Sequence, residues 1–127
     1  MRILLDTHVL LWFSLNNSRL PREWMEMIKD ARNEKFISIA SLWELAIKSG
    51  LGKLRLEAPF KEFVNRNVTE NGMSILHSSI EHFDVVHSLP LYHRDPFDRL
   101  IIAQSIVEHI GIITTDPQFE KYNIELL

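Results

Sequence analysis

Five acidic residues stand where chemistry is possible. Asp6 closes the apolar run "RILL" and Asp116 closes "GIITT". Asp95 and Asp98 lie three places apart at the front of "DPFDRLIIAQ", and Glu44 sits inside "SLWELAIKSG". Taken one at a time, each has an ordinary structural use. Asp95 before Pro96 and Asp116 before Pro117 are helix starts, a carboxylate accepting an orphan backbone N–H with proline at the first helical position. Asp98, one turn in, suits the positive end of a helix dipole. Glu44 is four residues from Lys48, a helical ion-pair spacing worth only about 0.2–0.5 kcal/mol on a surface.

Taken together they imply something else. If the two apolar runs are strands of one parallel sheet, Asp6 and Asp116 leave it at the same edge, where the following helices begin. Asp98 and Glu44, in the first turns of two such helices, then reach that rim too. Two carboxylates 4 Å apart at an effective dielectric of 20 repel by roughly 4 kcal/mol. A cluster of this kind persists by holding protons or by binding cations. All-oxygen donors suit Mg2+ or Mn2+ better than zinc, and magnesium typically joins a few carboxylates to a phosphate. The substrate class indicated is a phosphoester.

Other chemistries find no support. The chain has no cysteine, so thiolate metal sites, disulfides and a cysteine nucleophile are excluded. It has only four glycines and lacks Gly-x-Ser-x-Gly, Gly-x-Gly-x-x-Gly and a phosphate-binding loop. The six histidines show no paired ligand spacing such as His-Glu-x-x-His and are expected to be core or surface residues. Net charge is −3, so no general basic field holds a polyanion. A phosphate partner must be gripped locally, and Lys48, Lys53, Arg55, Arg94 and Arg99 are the candidate cations.

The elements that would position these acids follow from periodicity. "RILL", "FISIA", "MSIL" and "GIITTD" are short apolar runs consistent with buried strands, and "IELL" is a possible last one. Between them come amphipathic stretches read as helices: "THVLLWFS", one opened by Pro21, "SLWELAIKSG" ended at Gly50, and "PFKEFVNRNVTENG". "SSIEHFDVVHSL" and a stretch from Asp95 to about His109 complete the set. Strands alternating with helices predict right-handed crossovers and an α/β fold, a three-layer α/β/α sandwich with a parallel central sheet. Ligands of such sheets gather outside the carboxyl ends of the strands. With 127 residues and 46% hydrophobic content, one domain spanning 1–127 is expected. No apolar run nears the roughly 20 residues a membrane helix needs, and Asp6 interrupts any signal-peptide core, so a cytoplasmic protein is expected.

The order and spacing of "LLDTHVLLW", "SLWELAIKSGLGKL", "DPFDRLIIAQ" and "TTD" resemble the PIN-domain ribonucleases, and among them the VapC-type toxins of prokaryotic toxin–antitoxin pairs. The resemblance covers nearly the whole chain. It implies that Asp6, Glu44, Asp98 and Asp116 hold a divalent metal, Mg2+ or Mn2+, and that Thr114 orders the site. Asp98 is then the metal ligand, and Asp95 the cap with an outer role at most. The resemblance further implies an RNA substrate, an antitoxin whose tail occupies the acidic groove, and a homodimer. Lys48, Lys53, Arg55 and Arg99 are the candidate RNA contacts, Arg99 alternatively orienting Asp98. Trp12, Phe13 and Trp43 could serve partner surfaces or the core. The rival readings are a catalytically silent PIN-like module binding RNA or protein, and a structure-specific DNA nuclease.

Overall fold

Alternation along the first strand already shows how the layers form. In the computed structural model, which describes residues 1–127, β1 (Arg2–Leu5) turns Ile3 and Leu5 to one hydrophobic cluster and Leu4 to another. All three are fully buried, because a parallel strand covered on both faces needs no polar side. After β1 the chain forms α1 (Thr7–Ser14) and α2 (Arg22–Lys29), then β2 (Glu34–Ser38), α3 (Ile39–Gly50) and α4 (Phe60–Val64), which runs on into a π-helical turn. Next come β3 (Ser74–Leu76), α5 (Ile80–Ser88), α6 (Pro96–Glu108) and β4 (Gly111–Ile113), with a 3-10 turn at Pro117–Lys121.

The four strands are parallel in the order β3-β2-β1-β4. One face packs on α1, α2, α3 and α4 through Val9, Leu10, Ile28, Leu45 and Phe63. The other packs on α6 and the chain after β4, through Ile101, Ile102, Phe119 and Tyr122, with Val86 of α5 alongside. This is the expected three-layer α/β/α sandwich. The strand order reverses at β1. The chain steps outward to β2 and β3, then returns to place β4 on the far side of β1, which opens a crevice at the carboxyl ends of β1 and β4.

Three features differ from the sequence reading. Ser38 ends β2 and caps α3, its Oγ accepting the Ala40 N–H at 3.0 Å, so Ile39 and Ala40 are helical. "IELL" makes a single parallel bridge, Leu126 to Ile112, and no strand. The long α4 predicted from "PFKEFVNRNVTENG" stops as α-helix at Val64 and widens into the π turn Asn65–Thr69. Trp12 and Phe13 pack partly against the core, while Trp43 stays 61% exposed.

Candidate active site

Each acid owes its position to a neighbouring element's boundary. Asp6 is the residue at which β1 ends and α1 starts, and its backbone N–H is tied to the Ile113 carbonyl of β4 at 3.0 Å. Its side chain is not a cap. One carboxylate oxygen accepts instead from Thr114 Oγ1 at 2.9 Å, and that same hydroxyl accepts the Asp116 N–H at 3.0 Å. Thr114 thus links the ends of β1 and β4. Asp116 Oδ1 accepts from the Gln118 N–H at 2.9 Å, which starts the 3-10 turn. Both readings of Asp116 hold at once: it caps, and it also faces the crevice.

Asp95 is the cap of α6, its Oδ1 accepting from Phe97 N–H at 2.8 Å and Asp98 N–H at 3.2 Å. Asp98, released from capping, faces Asp116. Glu44 is buried on α3, and Lys48 donates to it at 2.5 Å with its own side chain 42% exposed. Thr7, at the position after Asp6, donates to Ser41 at 2.7 Å and pins α1 to α3.

The electrostatics register the crowding. Burial, then the charges of Asp6, Asp95, Glu44 and Asp116, push the Asp98 carboxyl up to about 8. Burial also raises Asp6 above its ordinary value, against the lowering pull of the Thr114 hydroxyl and His8, with Glu44 adding to the rise. The Lys48 ammonium is held above its usual value by the hydrogen bond to Glu44 and by the nearby charges of Asp95 and Asp98. Asp6, Glu44, Asp98 and Asp116, distant in the chain, therefore feel one another across one pocket. Removing that repulsion takes protons or a cation, and hard oxygen donors of this kind fit a divalent ion of the Mg2+ or Mn2+ type.

A histidine expected to be a core or surface residue lies among them. His93 Nε2 is hydrogen-bonded to Asp116 Oδ2 at 3.0 Å and lies 2.9 Å from Asp98 Oδ2. One ligand-type atom from each of His93, Asp98 and Asp116 falls within 4.8 Å of the others. No motif spacing marks this histidine. Its only signal was proximity to the Asp95-Pro96 helix start, which places a preceding loop beside the same rim.

Arg99 corrects its expected place as an RNA contact or a direct support of Asp98. It is buried, and its guanidinium donates to the carbonyls of Val86, Leu89, Pro90 and His93 at 3.0–3.2 Å. A planar fork of donors suits such gathering of carbonyls, and all four N–H groups of its two terminal nitrogens are taken up by them. Lys53 and Arg55 lie exposed on the segment after α3, outside the pocket of acids.

A parallel α/β sheet with carboxylates gathered at its reversal point places them where ligands of such sheets collect. A model of the PIN domain family matches residues 3–125, and the chain belongs to that family. PIN domains are usually nucleases that use a divalent metal. The fold is similar to a chain of the VapBC2 structure from Rickettsia felis, bound to a DNA fragment from its promoter. That match has TM-score 0.73 and 17% identity over 100% of this chain and 97% of the other. It is similar also to a chain of FitAB bound to the IR36 DNA fragment, at TM-score 0.68 and 18% identity over 98% and 93% of the two chains. No curated protein sequence matches. No helix is long and apolar enough to cross a membrane.

Proposed function

We propose that the chain is a divalent-metal-dependent endoribonuclease of the VapC type, the toxin of a toxin–antitoxin pair. The observation that carries this reading is the convergence of Asp6, Glu44, Asp98 and Asp116 on one rim, crowded enough to drive the Asp98 carboxyl to about 8. These four acids are the residues that would hold Mg2+ or Mn2+. A divalent ion in such a site supplies water activation, in-line alignment and charge neutralisation at the phosphate.

The chain's own residues do the rest. Thr114 fixes Asp6 through its hydroxyl and Asp116 through its backbone, so the acids from β1 and β4 move as one unit. Lys48 offsets Glu44 with its side chain partly open to solvent, where a phosphate oxygen of RNA can approach it. Exposed Arg94, beside His93 and Asp95, adds a second local cation, while Lys53 and Arg55 could contact RNA only beyond the acids. The partner reading follows from the same charge: a guanidinium from an antitoxin tail matches carboxylates in bidentate fashion. Exposed Trp43, held edge-on against Phe97 with centroids 5.3 Å apart, offers that tail an apolar anchor. The similar VapBC2 and FitAB structures support such a pairing, and a second copy of the chain is the expected dimer partner.

The test is cleavage of single-stranded RNA, transfer RNA and DNA with Mg2+ or Mn2+ by the purified chain. RNA cleavage that leaves 5′-phosphate and 3′-hydroxyl ends is expected, lost in Asp6→Asn with the fold retained. Cyclic 2′,3′-phosphate ends, or full activity of Asp6→Asn, would overturn the scheme. Cleavage of DNA alone would move the chain to the structure-specific DNA nucleases, and binding without cutting to the silent modules.

A further inference from the structure

The His93 ring sits against two of the four acids, and its hydrogen bonds decide what it does there. Its Nδ1 accepts the Asp95 backbone N–H at 3.2 Å. That nitrogen therefore presents a lone pair, and the ring proton resides on Nε2, the atom facing Asp116 and Asp98. A histidine that binds a metal shows the opposite arrangement, a bare nitrogen toward the ion and the other N–H donating to a carbonyl or carboxylate. Proximity alone groups His93 with Asp98 and Asp116 as possible ligands, and the tautomer argues against it.

The ring is also held from every other side. The His93 backbone N–H donates to Tyr122 Oη at 2.8 Å, and Tyr122 Oη donates to the Pro90 carbonyl at 2.6 Å. Arg99 binds the His93 carbonyl at 3.2 Å and three more carbonyls of the approach to it. Phe119 packs edge-on against the imidazole, centroids 5.8 Å apart. A buried arginine, a buried tyrosine and a buried phenylalanine thus fix one loop histidine whose single free donor points into the acid pocket.

From these contacts we infer that His93 is a positioning residue of the metal site, which orients the Asp116 and Asp98 carboxylates through Nε2–H without itself binding the ion. The inference rests on the metal reading of the acids given under Proposed function. It also assigns Arg99 and Tyr122 their purpose, since both act on the site through His93. By donating to Asp116 Oδ2, and with Oδ1 already bonded to the Gln118 N–H, the chain fixes both oxygens of that carboxylate in direction. Each oxygen keeps a second lone pair for a cation.

The experiment is Mn2+ binding to the full chain, followed by electron paramagnetic resonance, with melting temperature in EDTA as the fold control. The wild type is expected to bind Mn2+ with no directly coordinated ring nitrogen in the 14N modulation. His93→Ala should bind Mn2+ about 10- to 100-fold more weakly, the usual loss for an outer partner of a ligand. His93→Gln, whose side-chain amide can donate from the place of Nε2, should recover most of that affinity. Direct 14N coupling in the wild type would make His93 a ligand and overturn the inference while leaving the metal site standing. So would unchanged affinity in His93→Ala, or a Gln variant as weak as the Ala variant at the same melting temperature. Absence of any Mn2+ binding by the wild type would overturn the metal reading and this inference with it.

Discussion

Replacing Asp98 with asparagine should make the metal-free protein more stable, and the gain should depend on pH. The carboxyl goes from 3.8 in the ordinary case to about 8 in the folded chain. The folded state therefore keeps a proton, between roughly pH 4 and 8, that the unfolded chain gives up. Stability attributed to that proton is complete below pH 4 and is lost as pH rises toward 8. At 1.36 kcal/mol per unit, four units set a ceiling of about 5 kcal/mol. The residue lies on a partly open rim, where water and side-chain relaxation reduce such terms, so about 2 kcal/mol at pH 8 is expected. Asparagine keeps the shape and an acceptor for His93 but carries no charge to expel. Urea unfolding in EDTA at pH 4.5, 6, 7 and 8 should give matching midpoints at the acid end and a widening advantage for Asp98→Asn above it. Asp6, also raised by burial, keeps its own slope in the variant. Addition of Mn2+ should invert the order by stabilising the wild type, about 2.7 kcal/mol at a concentration of 100 Kd. Parallel stability profiles across pH, or a variant less stable at pH 8 in EDTA, would refute the crowding argument.

Other substitutions probe the supports of the pocket. Arg99→Met leaves four carbonyls without their donor and should cost about 3 kcal/mol in urea unfolding, with Mn2+ affinity falling because His93 loses its anchor. Lys48→Met strands Glu44 and should lower the metal-free unfolding midpoint by about 1–3 kcal/mol, a loss that Mn2+ narrows. Gln104→Leu removes the acceptor of Ser38 Oγ and the donor to the Leu76 and His77 carbonyls, and should destabilise by about 2 kcal/mol with little change in metal affinity.

How far the sequence reaches can be seen residue by residue. The strand runs and the alternating helices specify the layered parallel sheet because burial on both faces removes any polar alternation from "RILL" and "GII". The position of an acid just after such a run then implies an edge, and Asp6 and Asp116 do stand at that edge. The split between Asp95 as cap and Asp98 as inward acid also follows locally, since a cap's oxygen is spent on the next backbone N–H groups. What local reasoning lacks is the course of a loop. His93 lies in "SLPLYHRDP", with no period and no motif, and tertiary contacts such as those to Tyr122 and Arg99, 29 residues after and six after it, bring it to Asp116. Arg99 failed for the same reason: next to an acid in sequence it looks like a surface cation, and only tertiary packing shows that it turns inward. The end of β2 was misread because Ser38 suits either a strand or a helix cap, and its bond to Ala40 decided the matter.

The link between Thr114 and Asp6 joins positions 108 residues apart, and it bears on synthesis. A ribosome delivers β1 long before β4. Until β4 is made, a growing chain carries Asp6, Glu44 and Asp98 without the Thr114 and Asp116 that tie the end of β1 to the end of β4. The rim of acids is thus completed only when β4 joins β1, and fragments released before that strand is made lack the clasp.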